Sequence, residues 1–97
     1  MKLMTKALEK RFKQVGRQEE VKDPLVIAKY FYPASAATWY ATEYDPDTNI
    51  CFGYVTGLQK DEWGYFSLTE LSEVVVHGIK IERDLWFEEQ PFSKLEV

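Results

Sequence analysis

The first seventeen residues place apolar side chains at helical spacing. The apolar positions are Met4, Leu8, Phe12 and Val15, and the basic residues between them fall on the opposite side. Thr5 is a residue type that caps a helix start, and Gly16 suits a helix end. The pattern predicts a helix over residues 5–15, docked by its apolar face, within a basic amphipathic segment spanning residues 1–17.

From residue 24 onward the pattern changes to that of β-strands. Five of the eight residues 25–32 are β-branched or aromatic, which is typical of a strand. Residues 38–44 and 50–56 also have strand patterns, and the turn-forming residues 45–49 separate them. These two segments are predicted to pair as an antiparallel hairpin.

A second, shorter helix is predicted beyond the hairpin. Trp63–Phe66 has the composition of a short strand. Ser67 stands three residues before Glu70, which is the spacing of a capping box in which hydroxyl and carboxylate satisfy each other's backbone N–H groups. A helix over Leu68–Val74 follows.

Together these elements predict one α+β domain over residues 1–97. It comprises an N-terminal amphipathic helix, an antiparallel sheet of about four strands containing a central hairpin, and a short second helix. Residues 24–97 hold the aromatic-rich sheet and the second helix.

Composition indicates a folded chain that acts in water. Hydrophobic residues make up 45% of 97 residues, enough for a single modest core. No apolar run approaches the roughly 18 residues that span a bilayer, and charge follows the first residues where a signal peptide would be apolar. We therefore expect a cytoplasmic protein without membrane contact. Cys51 is the only cysteine, and it is predicted to be a small core residue.

Charge divides the chain into two parts. Residues 1–29 carry eight basic and four acidic residues, a balance of +4, whereas residues 30–97 carry four basic and twelve acidic, a balance of −8. The candidate nucleic-acid contacts are Lys6, Lys10, Lys13 and Arg17, on the side of the basic segment opposite its apolar face. The acidic remainder disfavours such binding, because affinity for nucleic acid depends on neutralising phosphates.

Two interpretations compete for the aromatic residues of the sheet. Phe52-Gly53-Tyr54-Val55 resembles the centre of the RNP1 strand of RNA-recognition motifs, in which exposed aromatics stack on bases. Aromatic residues inside strand patterns are more often core residues. We therefore expect Trp39, Phe52 and Tyr65 to contribute to the core.

Residue types that carry catalysis are sparse. His77 is the only histidine, and neither a nucleophile–histidine pair nor a set of metal ligands is evident, which predicts a protein without enzymatic activity, metal or cofactor. The alternative is a small hydrolase built from Glu43, Glu82, Asp84 and Arg83. A further prediction is that Arg83 forms an ion pair with Glu43 or Glu70, or else contacts a partner.

Six blocks along the chain resemble one bacterial family, the domain of unknown function 2958. The blocks are Met1–Lys6, Lys29–Pro33, Thr38–Glu43, Phe52–Gly57, Gly64–Leu71 and Ile81–Phe87. The chain departs from the family pattern at Tyr32 and Ala34, where threonine and tryptophan are typical, and at Trp86, where histidine is. The resemblance implies a protein carried by plasmids, conjugative elements or phages, often near genes for antirestriction or DNA processing.

These observations lead to a ranked set of functions. The first is a small cytoplasmic accessory protein of a mobile genetic element that binds another protein and counteracts a host defence complex. The alternatives are a nucleic-acid-binding accessory protein that uses the basic helix, and the small hydrolase.

Overall fold

The computed structural model describes all 97 residues and has an α+β architecture, which confirms the predicted fold class. The helices are α1 (Lys6–Val15), α2 (Leu68–Glu73) and a 3₁₀ helix at Phe92–Lys94. The strands are β1 (Leu25–Val26), β2 (Ala28–Phe31), β3 (Thr38–Asp45), β4 (Ile50–Thr56), β5 (Glu62–Ser67), β6 (Val75–Val76), β7 (Ile79–Lys80), β8 (Glu82–Arg83) and β9 (Gln90–Pro91). Neither α-helix has the length and apolar character needed to cross a bilayer.

Five strands form one antiparallel sheet in the order β5-β4-β3-β2-β8. β3 and β4 make the predicted hairpin. Asp45 still pairs with Ile50, so the turn is residues 46–49 and is one residue shorter than expected. The sheet has five strands instead of the expected four because the two-residue β8 pairs with the edge of β2 that β3 leaves free. β1 pairs separately with β9, and β6 with β7.

The hydrophobic core lies between one face of this sheet and the two α-helices. We call this face of the sheet the inner face. Its buried residues are Ala28, Tyr30, Trp39, Ala41, Cys51 and Phe66. Helix α1 contributes the buried residue Phe12 to the core, and α2 contributes Leu68 and Leu71. The Tyr30 hydroxyl donates a hydrogen bond to the Leu3 carbonyl at 2.7 Å, which ties the N-terminal segment to the core.

The opposite, outer face carries most of the other sheet aromatics, including Phe52, Tyr54, Trp63 and Tyr65. Trp39 is buried as predicted, but the core assignments of Phe52 and Tyr65 are wrong: Phe52 is half-buried outside the core, and Tyr65 is 71% exposed. The reason is strand alternation. Since Cys51 and Phe66 point inward, the neighbouring side chains must point outward.

Both predicted helix starts are confirmed by their caps. The Thr5 hydroxyl accepts from the Leu8 N–H at 3.1 Å, and the Ser67 hydroxyl accepts from the Glu70 N–H at 3.2 Å. The Glu70 carboxylate, however, makes no hydrogen bond back to Ser67, so only half of the capping box forms. α1 ends at Gly16, whose φ of 74° suits glycine.

The polar segment that follows α1, residues 18–23, begins with a buried residue. Gln18 is 6% exposed, and its side chain lies between β1 and a bulge in β3. The bulge falls between Ala41 and Glu43, and the Thr42 hydroxyl there donates to the Phe52 carbonyl at 3.1 Å. Gln18 therefore joins the N-terminal helix to the sheet.

Candidate interaction surfaces

Arg83 does not form the predicted ion pair. It lies in β8 opposite Tyr30, and its Nε donates to the Lys2 carbonyl at 3.2 Å. Tyr30 pairs with Trp39 of β3. Glu43 lies four residues further along β3, about 13 Å from Trp39. Glu70 lies on α2, next to the opposite edge of the sheet. The prediction that Arg83 pairs with Glu43 or Glu70 is therefore wrong.

Asp84, the next residue, has a defined structural role. Its backbone N–H donates to the Lys29 carbonyl at 2.9 Å, and its carboxylate lies 3.5 Å from the Lys29 ammonium. The same carboxylate accepts a hydrogen bond from the Trp86 N–H at 2.9 Å, and the Asp84 carbonyl accepts one from the Phe87 N–H at 3.3 Å. These bonds fix a tight turn and attach it to β2.

The turn presents two apolar side chains to solvent. Leu85 is 60% exposed and Trp86 is 93% exposed. Single exposed apolar residues are ordinary in folded proteins. Trp86, however, makes almost no contact with the rest of the protein, and backbone bonds already hold its turn, so the fold does not require this side chain. We refer to Leu85 and Trp86 as the apolar turn.

The outer face of the sheet holds an aromatic cluster. Its members are Phe52, Tyr54, Trp63, Tyr65 and Phe92. Ring centroids of Phe52 and Tyr65 are 5.0 Å apart, and those of Tyr54 and Trp63 are 5.2 Å apart. Phe92 from the C-terminal 3₁₀ helix packs 4.7 Å from Trp63. The C-terminal segment thus covers one end of the cluster, and Tyr65 remains exposed at the other.

The four candidate nucleic-acid contacts are all exposed on α1 and the residues that follow it. They are Lys6, Lys10, Lys13 and Arg17. Arg11, on the same helix, is not available, because its guanidinium forms two hydrogen bonds of 2.7 Å with the Glu89 carboxylate. These bonds raise the pKa of Arg11 and lower the pKa of Glu89. The sequence did not reveal this pair, which spans 78 residues.

The residues of the hydrolase alternative are not brought together. Glu43 accepts a hydrogen bond from the Gln18 N–H at 3.0 Å, near the bulge, whereas Glu82 and Asp84 lie at and beside β8. His77 is exposed in the β6–β7 turn with a φ of 52°. Cys51 is fully buried, and burial raises the pKa of its thiol to about 12.

Comparison with known proteins places the chain in a family. A family model described as "Protein of unknown function (DUF2958)" matches residues 3–95. The chain belongs to this family. Neither the curated proteins nor the solved structures yielded a match. The matched region includes the apolar turn, the aromatic cluster and the basic helix, so all three surfaces of this DUF2958 member lie within the family's domain.

Proposed function

We propose that this DUF2958 member is a small protein-binding accessory protein, and that the apolar turn is the anchor by which it holds its partner. The supporting observation is the 93% exposure of Trp86 on a turn fixed by Asp84. Tryptophan is enriched among the residues that dominate protein–protein affinity, because its large ring buries much apolar area at little cost in side-chain entropy.

Pre-organisation strengthens this proposal. The turn is tied to β2 by a backbone bond and by the Lys29–Asp84 ion pair, so partner binding does not have to order it. A fixed anchor loses less conformational entropy on binding than a flexible loop does. An exposed indole on a turn held in this way is well suited to serve as an anchor in an interface.

The proposed setting is the cytoplasm of a bacterium that carries a mobile genetic element, and the proposed partner is a component of a host defence complex. The support for this setting is the family resemblance described above. The acidic balance of residues 30–97 fits a partner with a basic surface, such as a protein that handles nucleic acid.

Site-specific photo-cross-linking tests the proposal. A photoreactive phenylalanine analogue at position 86, expressed in the natural host, is expected to capture a protein that mass spectrometry identifies. The same analogue at position 77, also exposed in a turn, is the matched control. Capture at position 86 that is lost in a Leu85→Ala background supports the proposal. Equal capture at both positions would reject the apolar turn as the anchor.

A stability measurement distinguishes loss of partner binding from loss of folding. Trp86→Ser should leave the melting temperature within about 2 °C of the wild type, because an exposed side chain contributes little to folding. If Trp86→Ser no longer co-purifies with the partner that cross-linking identified, and its melting temperature is unchanged, the indole acts in binding.

A second candidate function is binding of single-stranded nucleic acid. The observation that favours it is the exposed end of the aromatic cluster, where Tyr65 is 71% and Trp63 is 38% exposed on the outer face. Bases stack on such rings in a sequence-tolerant way. Quenching of tryptophan fluorescence on titration with single-stranded DNA, reduced by Tyr65→Ala but not by Trp86→Ser, would favour this function over the first.

A further inference from the structure

The free edge of β5 offers backbone groups in a position to pair with another strand. Leu68 N donates to the Asn49 carbonyl at 3.0 Å, directly beyond the Ile50–Ser67 pair. Hydrogen-bonded and non-bonded pairs alternate along an antiparallel ladder. The pairs that exchange bonds with β4 are therefore those of Phe66, Gly64 and Glu62. It follows that the N–H and C=O groups of Trp63 and Tyr65 point away from the sheet.

This edge lacks the usual protections against strand pairing. Natural edge strands are shielded by lysine, proline, a bulge or very short length. β5 has six residues, an unbroken register with β4, and a single charged residue, Glu62, at its first position. The other edge of the sheet, β8, is only two residues long. The two edges therefore differ in their capacity to add a strand.

A groove on the inner side of the β5 edge could receive side chains from an added strand. It has a volume of about 860 Å³, and its apolar lining includes Trp39, Val55, Leu58, Phe66 and Leu71. Gly64 lies at this groove, and no atom would lie within 4 Å of a Cβ placed there. An added strand would thus have backbone partners along the edge and space for alternate side chains beside it.

We propose that the β5 edge binds an extended, basic segment of a partner protein as an additional antiparallel strand. The charges at both ends of β5 identify the partner's chemistry. Asp61 and Glu62 stand at its start, and Glu70 and Glu73 follow on α2. Lys60, which directly precedes Asp61, lies 3.9 Å from Glu62 and offsets that carboxylate.

The same charges argue against a second copy of this chain as the occupant. Two copies of β5 paired antiparallel would set Asp61 and Glu62 of one copy near the start of α2, with Glu70, of the other. Like charges placed opposite each other across strands are destabilising. A segment with arginine or lysine flanking a β-forming stretch would instead find a carboxylate at each end.

This inference extends the proposed protein-binding function to a second surface, and the two can fail separately. The apolar turn follows β8, which lies at the opposite edge of the sheet, four strand spacings or about 19 Å from β5. A partner could therefore contact one surface without the other.

The test uses the whole chain and a synthetic peptide of alternating threonine and valine flanked by arginines. The measurement is amide hydrogen exchange by NMR. When the peptide is bound, the amides of Trp63 and Tyr65 should exchange at least about ten times more slowly than in the free protein. A matched peptide flanked by glutamates should bind at least about tenfold more weakly. A third peptide, N-methylated at alternate residues so that it cannot pair, should give no protection.

Two variants at one position separate backbone pairing from ring contacts. Tyr65→Pro removes an outward N–H that no strand uses, so the edge tolerates it, yet it should weaken peptide binding by about tenfold or more. Tyr65→Thr removes the ring and keeps the N–H, and it should retain most of the binding. A Trp86→Ser variant should bind the peptide as the wild type does.

Three results would overturn the proposal. The first is equal affinity for the basic and acidic peptides. The second is protection of amides away from β5, or none at millimolar peptide. The third is protection of Trp63 and Tyr65 without peptide that rises with protein concentration, because this would make a second copy the occupant.

Discussion

The side-chain amide of Gln18 pairs with the backbone of Leu25 in both directions. Leu25 N donates to Gln18 Oε1 at 2.7 Å, and Gln18 Nε2 donates to the Leu25 carbonyl at 2.9 Å. The same Nε2 donates to the Thr42 carbonyl at 2.8 Å. One side chain therefore satisfies three backbone groups at the place where the N-terminal segment meets the sheet.

Gln18→Ala should destabilise the protein by about 2–4 kcal/mol, since it leaves partly buried backbone groups without partners. Urea unfolding followed by tryptophan fluorescence gives the measurement. Glu19→Ala, at the exposed neighbouring position, is the control and should change stability by less than about 0.5 kcal/mol. Similar losses in the two variants would contradict the assigned role of Gln18.

Gly53 should not accept a side chain. A Cβ there would lie 1.8 Å from the Tyr40 carbonyl oxygen, which belongs to the backbone of the paired strand and cannot move alone. Gly53→Ala is expected to cost at least about 3 kcal/mol or to prevent folding. Gly64→Ala is the matched control, because a Cβ at that strand position meets nothing within 4 Å. It should be neutral or stabilise by up to about 1 kcal/mol. Thermal unfolding of both variants decides the matter.

Acid should release the C-terminal segment. Asp23 accepts bonds from the Ser93 hydroxyl at 2.6 Å and the Ser93 N–H at 2.9 Å, and these lower its pKa below the ordinary 3.8. A carboxyl group whose pKa is lower in the folded state contributes its full stabilisation when the pH is above its ordinary pKa. This contribution is lost as the pH falls through the pKa of the folded state. The Ser93 amide signal should therefore shift in NMR spectra recorded below about pH 3.8.

Asp23→Asn provides the control for that titration. The variant keeps an acceptor for the Ser93 N–H but has no ionisable group, so the acid-dependent shift at Ser93 should disappear. An unchanged shift in the variant would mean that another group controls the segment. Glu89, whose pKa the bonds from Arg11 lower, is the next to examine with Glu89→Gln.

Binding of nucleic acid through α1 would have a defined salt dependence. If the exposed lysines neutralise phosphates, the combined change Lys10→Ala and Lys13→Ala should reduce the slope of log affinity against log salt by roughly 2. Fluorescence anisotropy with single-stranded and duplex DNA measures this slope, and Lys80→Ala with Lys94→Ala is the control. We expect weak binding at physiological salt, and a salt-sensitive submicromolar complex would place this function above protein binding.

The sequence by itself determined the local elements. The spacing of Leu8, Phe12 and Val15 and the cap at Thr5 predicted α1, because helix periodicity and capping depend on neighbours three or four residues away. The turn formers after Asp45 predicted the β3–β4 hairpin, and Ser67 predicted the start of α2, for the same reason. The family resemblance also came from the sequence, and the match to residues 3–95 confirms it.

Tertiary structure decided which face of each strand is buried and which distant groups meet. Strand alternation makes Phe52 and Cys51 point to opposite faces, but only the position of the helices determines which of the two faces becomes the core. Local pattern also gave no sign that Gln18 would bond to Leu25 and Thr42, or that Arg83 would lie beside Lys2 and far from Glu43. Those contacts depend on the order of strands in the sheet, which follows from long-range pairing and not from the spacing of residues along the chain.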